Sequence, residues 1–160
     1  KSFVDDVLVE SDLELMFPIT YIPNDAERIA IYRELDGLEK ELETLEFEKR
    51  LEDRFGKIPP QGKELIRITR LRRIARTLGI EKVVLKNQQM ILHLIDDVDS
   101  PYYQSVVFDK LIAFIMAHPR MCKLREKGKR RSILFRNIES VEHAIDVLQQ
   151  IKSQKVEPRE

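Results

Sequence analysis

Three observations predict an α+β fold for this 160-residue chain. Residues 24–79 carry apolar side chains at steps of three and four between helix caps. The period drops to about two from Ile80 onward, in two paired runs joined by turn residues. A short alternating segment precedes both. The expected order is an N-terminal β segment, three helices and a ββαββα unit, packed as one compact domain. Its helical half covers about 24–79, its α+β half about 80–151, and residues 152–160 form a polar tail.

Taken in order, residues 3–17 read as extended, because Val7 and Val9, then Leu13, Leu15 and Phe17, alternate with polar residues. Ser11-Asp12 can turn between two short strands, and Pro18 and Pro23 interrupt whatever follows. Asn24 to Leu38 reads as a helix. Asn24 and Glu27 have capping-box spacing, and Ile29, Tyr32 and Leu35 share a face. Lys40 to Phe55 is a second, acidic helix with Phe47, Leu51 and Phe55 a turn apart; Gly56 caps it and Pro59-Pro60 stop it. In the third, Lys63 to Leu78, the residues Leu65, Ile68, Leu71, Ile74, Ala75 and Leu78 form a broad apolar face opposite Lys63, Arg70, Arg73 and Arg76.

Glu81–Lys86 and Gln89–Ile95 read as strands around Asn87-Gln88. Ser100-Pro101 opens an apolar helix that continues through Ala117. Met121–Arg125 and Arg131–Arg136 form a second hairpin around Lys127-Gly128-Lys129, and Ser140 caps a last helix with Val141, Ala144, Ile145 and Leu148 inward.

Composition excludes several classes. Hydrophobic residues make up 42% and charged residues 35%, the balance of a well-hydrated globular protein. No apolar run approaches the roughly 20 residues of a membrane helix. The single cysteine, Cys122, forms no internal disulfide, which fits a cytoplasmic protein. A first residue of Lys rather than Met suits a piece of a longer chain. Lys+Arg and Asp+Glu both number 28. Residues 1–55 nevertheless hold 16 acids and 7 bases, and residues 56–160 hold 12 acids and 21 bases. Mean neutrality opposes a generic polyanion binder, whereas the division suggests electrostatic polarity.

The search for chemistry is largely negative. Five separated glycines cannot make a phosphate-binding loop. His93, His118 and His143 lack chelating neighbours, and Pro119 interrupts the spacing of His118 and Cys122, so neither metal nor cofactor is expected. Cys122, between Met121 and Lys123, reads as a small buried residue rather than a nucleophile. No catalytic constellation emerges. Two basic elements remain, Lys63–Arg76 and Lys123–Arg136. Both are read first as solvated or partner-facing surface, and alternatively as a nucleic-acid module using Arg70, Arg73 and Arg76 or the hairpin with Arg130 and Arg131.

One motif goes further. Leu51-Glu52-Asp53-Arg54-Phe55-Gly56 and Pro59 precede a basic helix ending Leu78-Gly79-Ile80; upstream stand Tyr21-Ile22-Pro23, Arg28 and Tyr32. This arrangement resembles the C-terminal domain of the bacterial transcription-repair coupling factors (Mfd), over roughly Val4 to Ile151. The resemblance implies a regulatory, non-catalytic domain. In that family a translocase acts on DNA and stalled RNA polymerase, and a UvrB-like module recruits UvrA. The C-terminal domain docks intramolecularly on that module and masks its UvrA-binding surface. Asp53 and Arg54 match the docking motif. Arg50 stands where an acidic residue is usual and Glu52 where an apolar one is, which implies rewired pairing with Glu52 or Glu48 as substitutes. The isolated domain is expected to be a monomer.

Overall fold

The computed structural model describes residues 2–158, so Arg159 and Glu160 of the expected tail lie outside the described residues. The chain divides into two compact units, Glu14–Arg73 and the remainder, Ser2–Leu13 with Ile74–Pro158. Five helices and a five-stranded sheet make up the expected α+β fold.

The first unit holds α1 (Asp25–Asp36), α2 (Glu41–Phe55) and most of α3 (Pro60–Thr77). The Asn24 side chain accepts from the Glu27 amide at 2.9 Å, closing the first turn of α1. Glu43 does the same for α2, accepting from the Lys40 amide at 2.9 Å and from that of Glu39 at 3.1 Å. Those two donors hold its carboxyl below the usual carboxylate range. Gly56 ends α2 with a φ of 86°, a left-handed conformation that glycine adopts without a Cβ penalty. The core is Phe17, Tyr21, Ile22, Leu35, Phe47, Leu51, Ile58 and Ile66. Phe17 stacks on Tyr32, with centroids 5.4 Å apart, and its amide donates to the Tyr32 hydroxyl at 3.0 Å.

In the second unit β1 (Leu8–Ser11), β2 (Lys82–Lys86), β3 (Gln89–His93), β4 (Cys122–Lys127) and β5 (Arg130–Arg136) form a sheet of order β1-β2-β3-β5-β4. The β1–β2 pair is parallel and the others are antiparallel. Asn87 and Gln88 both have positive φ (55° and 57°), as a two-residue type I′ turn requires. Two helices, α4 (Val106–Ala117) and α5 (Val141–Lys152), pack against one another, and Phe114 of α4 meets Phe135 of β5 on one face of the sheet. That face also buries Val83, Leu85, Met90, Leu92 and Ile133.

The structure corrects four local expectations. Residues 13–17 are not a strand: the Leu13 amide turns onto the Ser11 hydroxyl at 3.0 Å, and that local bond replaces a ladder partner. The apolar helix is broken in two. Ser100 caps a 3-10 turn at Pro101–Gln104, and Ser105 then caps α4, accepting from the Phe108 amide at 3.2 Å. Helix α3 starts at Pro60 rather than Lys63, since proline lacks only an amide hydrogen that a first helical turn leaves unused. Ile29 is 49% exposed, and Ile31 takes the inward place expected of it.

Beyond α3 the chain turns at Gly79, with a φ of 69°. A Cβ there would lie 2.2 Å from Cε1 of Tyr102, whose buried hydroxyl donates to the Leu78 carbonyl at 2.8 Å. Gly128 has a similar φ of 64° but open space around it. Gly79→Ala is therefore expected to cost about 3 kcal/mol, combining overpacking with left-handed strain, whereas Gly128→Ala costs only the strain, about 1 kcal/mol. Urea unfolding of both variants checks this, and equal losses would contradict it.

Candidate partner-docking groove

The motif residues lie at the end of α2, and one side chain fixes that end. The Tyr21 hydroxyl donates to the carbonyl of Gly56 at 2.8 Å, with the Leu51 carbonyl at 3.3 Å. It thereby answers the Gly56 carbonyl, one of those that a helix C-terminus leaves without an intrahelical partner. Burial, and then the charge of Glu52, push the phenol pKa upward, so Tyr21 stays protonated and able to donate. Its ring packs on Phe55, with centroids 5.6 Å apart.

Between α1 and α2 lies a groove of 360 Å³ with an apolar floor of Ala30, Ile31, Phe47, Leu51 and Phe55. Two ion pairs cross it. Arg50 pairs with Glu34, and Arg54 holds Glu27 at 2.8 Å while its guanidinium lies 5.0 Å from the centre of the Phe55 ring. Both pairs are largely exposed, so each contributes little to stability. Asp53 and Glu52 are exposed beside them, and Asp53 makes no hydrogen bond or ion pair among the described residues.

Arg54 reaches back to Glu27 of α1. Arg50 is answered by Glu34, also of α1, and Glu48 is engaged with Lys63 at 3.3 Å. Sequence reasoning missed Glu27 and Glu34 as groove residues. They stand seven apart, two turns along one side of α1, a spacing that could have signalled them.

The basic residues divide into two kinds. Arg70 and Arg73 both pair with Glu41, the latter at 2.6 Å, and Arg73 also donates to the Thr44 hydroxyl at 3.3 Å. Arg76 donates to the Ser2 hydroxyl at 3.2 Å and the Val4 carbonyl at 3.3 Å. In the second hairpin Arg131 stacks over Tyr103 at 4.5 Å and pairs with Glu126 at 3.5 Å, while Arg130 is exposed. Cys122 is buried, and burial pushes its thiol up to about 11, far from nucleophilic chemistry near neutral pH. Among the described residues no group of three or more His, Cys, Asp or Glu could hold a metal ion, and no helix is long and apolar enough to cross a membrane.

The profile of the TRCF domain matches residues 11–105, and the chain belongs to that family. The transcription-repair-coupling factor of Borreliella burgdorferi is 24% identical over 139 residues, covering 86% of this chain and 12% of that protein. The Buchnera aphidicola factor is 27% identical over 136 residues, 84% of this chain and 16% of the relative. The Escherichia coli factor is 35% identical over 75 residues, 47% of this chain and 6% of the relative. The chain thus spans a small part of the length of the relatives it matches. A crystal structure described as the C-terminal domain of transcription-repair coupling factor superposes with a TM-score of 0.70 at 18% identity, over 94% of this chain and 96% of that one. That likeness establishes the fold, and the matched profile the family.

Two measurements test this geometry. Asp53→Ala and Arg54→Ala should each change unfolding free energy by less than about 1 kcal/mol, since both side chains are exposed. Tyr21→Phe should cost about 1–2 kcal/mol through the unanswered helix-end carbonyls. Glu41 supplies a pH signature. Hydrogen bonding from Arg70, opposed by partial burial and aided by the charges of Arg70 and Arg73, lowers its carboxyl below the model-peptide value of 4.5. A carboxyl depressed in the folded state contributes stability above its unfolded pKa and loses it as pH falls through the folded one. Glu41→Gln should therefore flatten the decline in stability below about pH 4.5 and lower stability at neutral pH; denaturation midpoints measured across that range would show an unaltered slope if the pairing were inert.

Proposed function

We propose that the chain is a non-catalytic, autoinhibitory interaction domain of a transcription-repair coupling DNA translocase. It docks on the UvrB-like module of its parent and masks the surface that would bind UvrA. The observation that carries this reading is the α1–α2 groove, with its apolar floor, its two exposed ion pairs and the unpartnered Asp53 at its edge. The family resemblance assigns docking to the motif positions Asp53 and Arg54. An apolar floor supplies contact area, and an Arg already oriented by Glu27 can exchange that partner for a carboxylate of the docked module. Exposed charges of this kind govern rate and specificity, while the apolar floor, once desolvated, governs residence.

The parent would act on RNA polymerase and DNA in the bacterial cytoplasm, with this domain monomeric when isolated and free of cofactors. The alternative of a nucleic-acid module on α3 loses support, because Arg70, Arg73 and Arg76 all have internal partners. In a complete coupling factor carrying this domain, Asp53→Ala with Arg54→Ala is expected to raise capture of UvrA in a pull-down several-fold. Unchanged capture by a folded variant would reject the docking role.

A further inference from the structure

The pairing registers expose a second surface, independent of the groove. On the face of the sheet turned away from Phe114, alternate residues of five strands come into rows across the ladder. One row is Lys82, His93, Ser132 and Arg125; the next is Val84, Ile91, Leu134 and Lys123. Lys86, Gln89 and Arg136 form a third, and Lys127 opposite Arg130 closes the hairpin end. Seven lysines and arginines thus share one face with a single acid, Glu10.

Their partners decide what that charge can do. Glu10 holds Lys82 at 3.0 Å and Lys86 at 3.5 Å, so the β1–β2 end is nearly balanced. Arg136 donates to the Arg120 carbonyl at 3.2 Å and keeps its charge. Lys123, Arg125, Lys127 and Arg130 are exposed and make no ion pair among the described residues. Glu126, the nearest carboxylate, is occupied by Arg131. A shallow hollow of 410 Å³ lies among Arg125, Lys127 and Arg130, with Glu126 also at its wall, and is floored by Ile91, His93 and Ser132.

We infer that this sheet face binds the phosphate backbone of duplex DNA, without sequence preference, through Lys123, Arg125, Lys127 and Arg130. Charge complementarity selects a polyanion. The face carries no Phe, Tyr or Trp ring, which removes the main stacking platforms that single strands use. Its central apolar residues Val84, Ile91 and Leu134 are buried or half-buried, and the one exposed, Leu8, stands on the far edge strand β1, so the cations of β4 and β5 have no exposed apolar anchor beside them for an acidic protein partner. Regularly spaced cations on a rigid ladder remain, and these suit phosphates. Basic residues on the edge strand β4 also discourage strand addition, but that role does not require Arg130 on the inner strand β5.

The test is fluorescence anisotropy of the 160-residue chain with a fluorescein-labelled, mixed-sequence DNA duplex. The expected dissociation constant at low salt is in the micromolar range and weakens about a hundred-fold from roughly 50 to 200 mM salt, as four phosphate contacts require. Arg125→Glu with Lys127→Glu and Arg130→Glu should weaken binding more than ten-fold; Arg33→Glu with Lys49→Glu, on exposed cations of the other unit, should not. If the triple variant misfolds by circular dichroism, the same positions changed to Gln should still weaken binding at least several-fold. Absence of binding at low salt, equal loss in both variants, or competition by polyglutamate as effective as that by unlabelled duplex would each overturn the inference. None of these outcomes bears on UvrA capture, so this surface and the docking groove stand or fall separately.

Discussion

The acids of α2 must find cations, and α3 supplies them. Glu41 is shared by Arg70 and Arg73, and Glu48 takes Lys63. A helix with six Asp or Glu between Glu41 and Phe55 would repel itself if left unanswered, and like charges a turn apart weaken a helix. The cross-helix pairs offset that repulsion while Phe47, Leu51 and Ile66 close the core beneath them. Charges that remain free after this neutralisation are the informative ones: Asp53 at the end of α2, and the cations of the second hairpin.

This arrangement changes what the charge distribution along the chain signifies. Sequence order divides acids from bases near residue 55, and that division suggested a polarised molecule. Folding places most of the acidic block in one unit with the first bases of the other block, so that residues 14–73 hold 13 acids and 12 bases. Polarity survives at a smaller scale, on one face of the sheet. A running sum of charge marks the Lys123–Arg136 stretch as basic, but only the β-pairing brings Lys123, Arg125 and Arg130 onto one face, with their core-facing neighbours interleaved between them.

Much of the fold was legible because its signals are local. Asn24, Ser100 and Ser140 cap where expected, Asn87-Gln88 turns, and the apolar faces of α3 and α5 are largely those their periodicity gives. What escaped depends on partners distant in sequence. Alternation at residues 13–17 could not reveal that Ser11 would intercept the Leu13 amide, nor could an apolar run reveal the second cap at Ser105. For the groove, the motif indicated Asp53 and Arg54, whereas Glu27 and Glu34 emerged only when α1 and α2 came side by side.

The parallel pairing of β1 with β2 has a cost in chain entropy. Leu8 lies opposite Lys82, so the whole of the first unit is threaded between two strands that hydrogen-bond as neighbours. Closing so long a loop is opposed by several kcal/mol of lost freedom while the chain between is unfolded, roughly (3/2)RT ln n plus a constant. Once residues 14–73 have folded, the same two strands are tethered by a compact body rather than a coil, and most of that opposition has already been met. Prior folding of the helical unit thereby favours the β1–β2 pairing that completes the sheet.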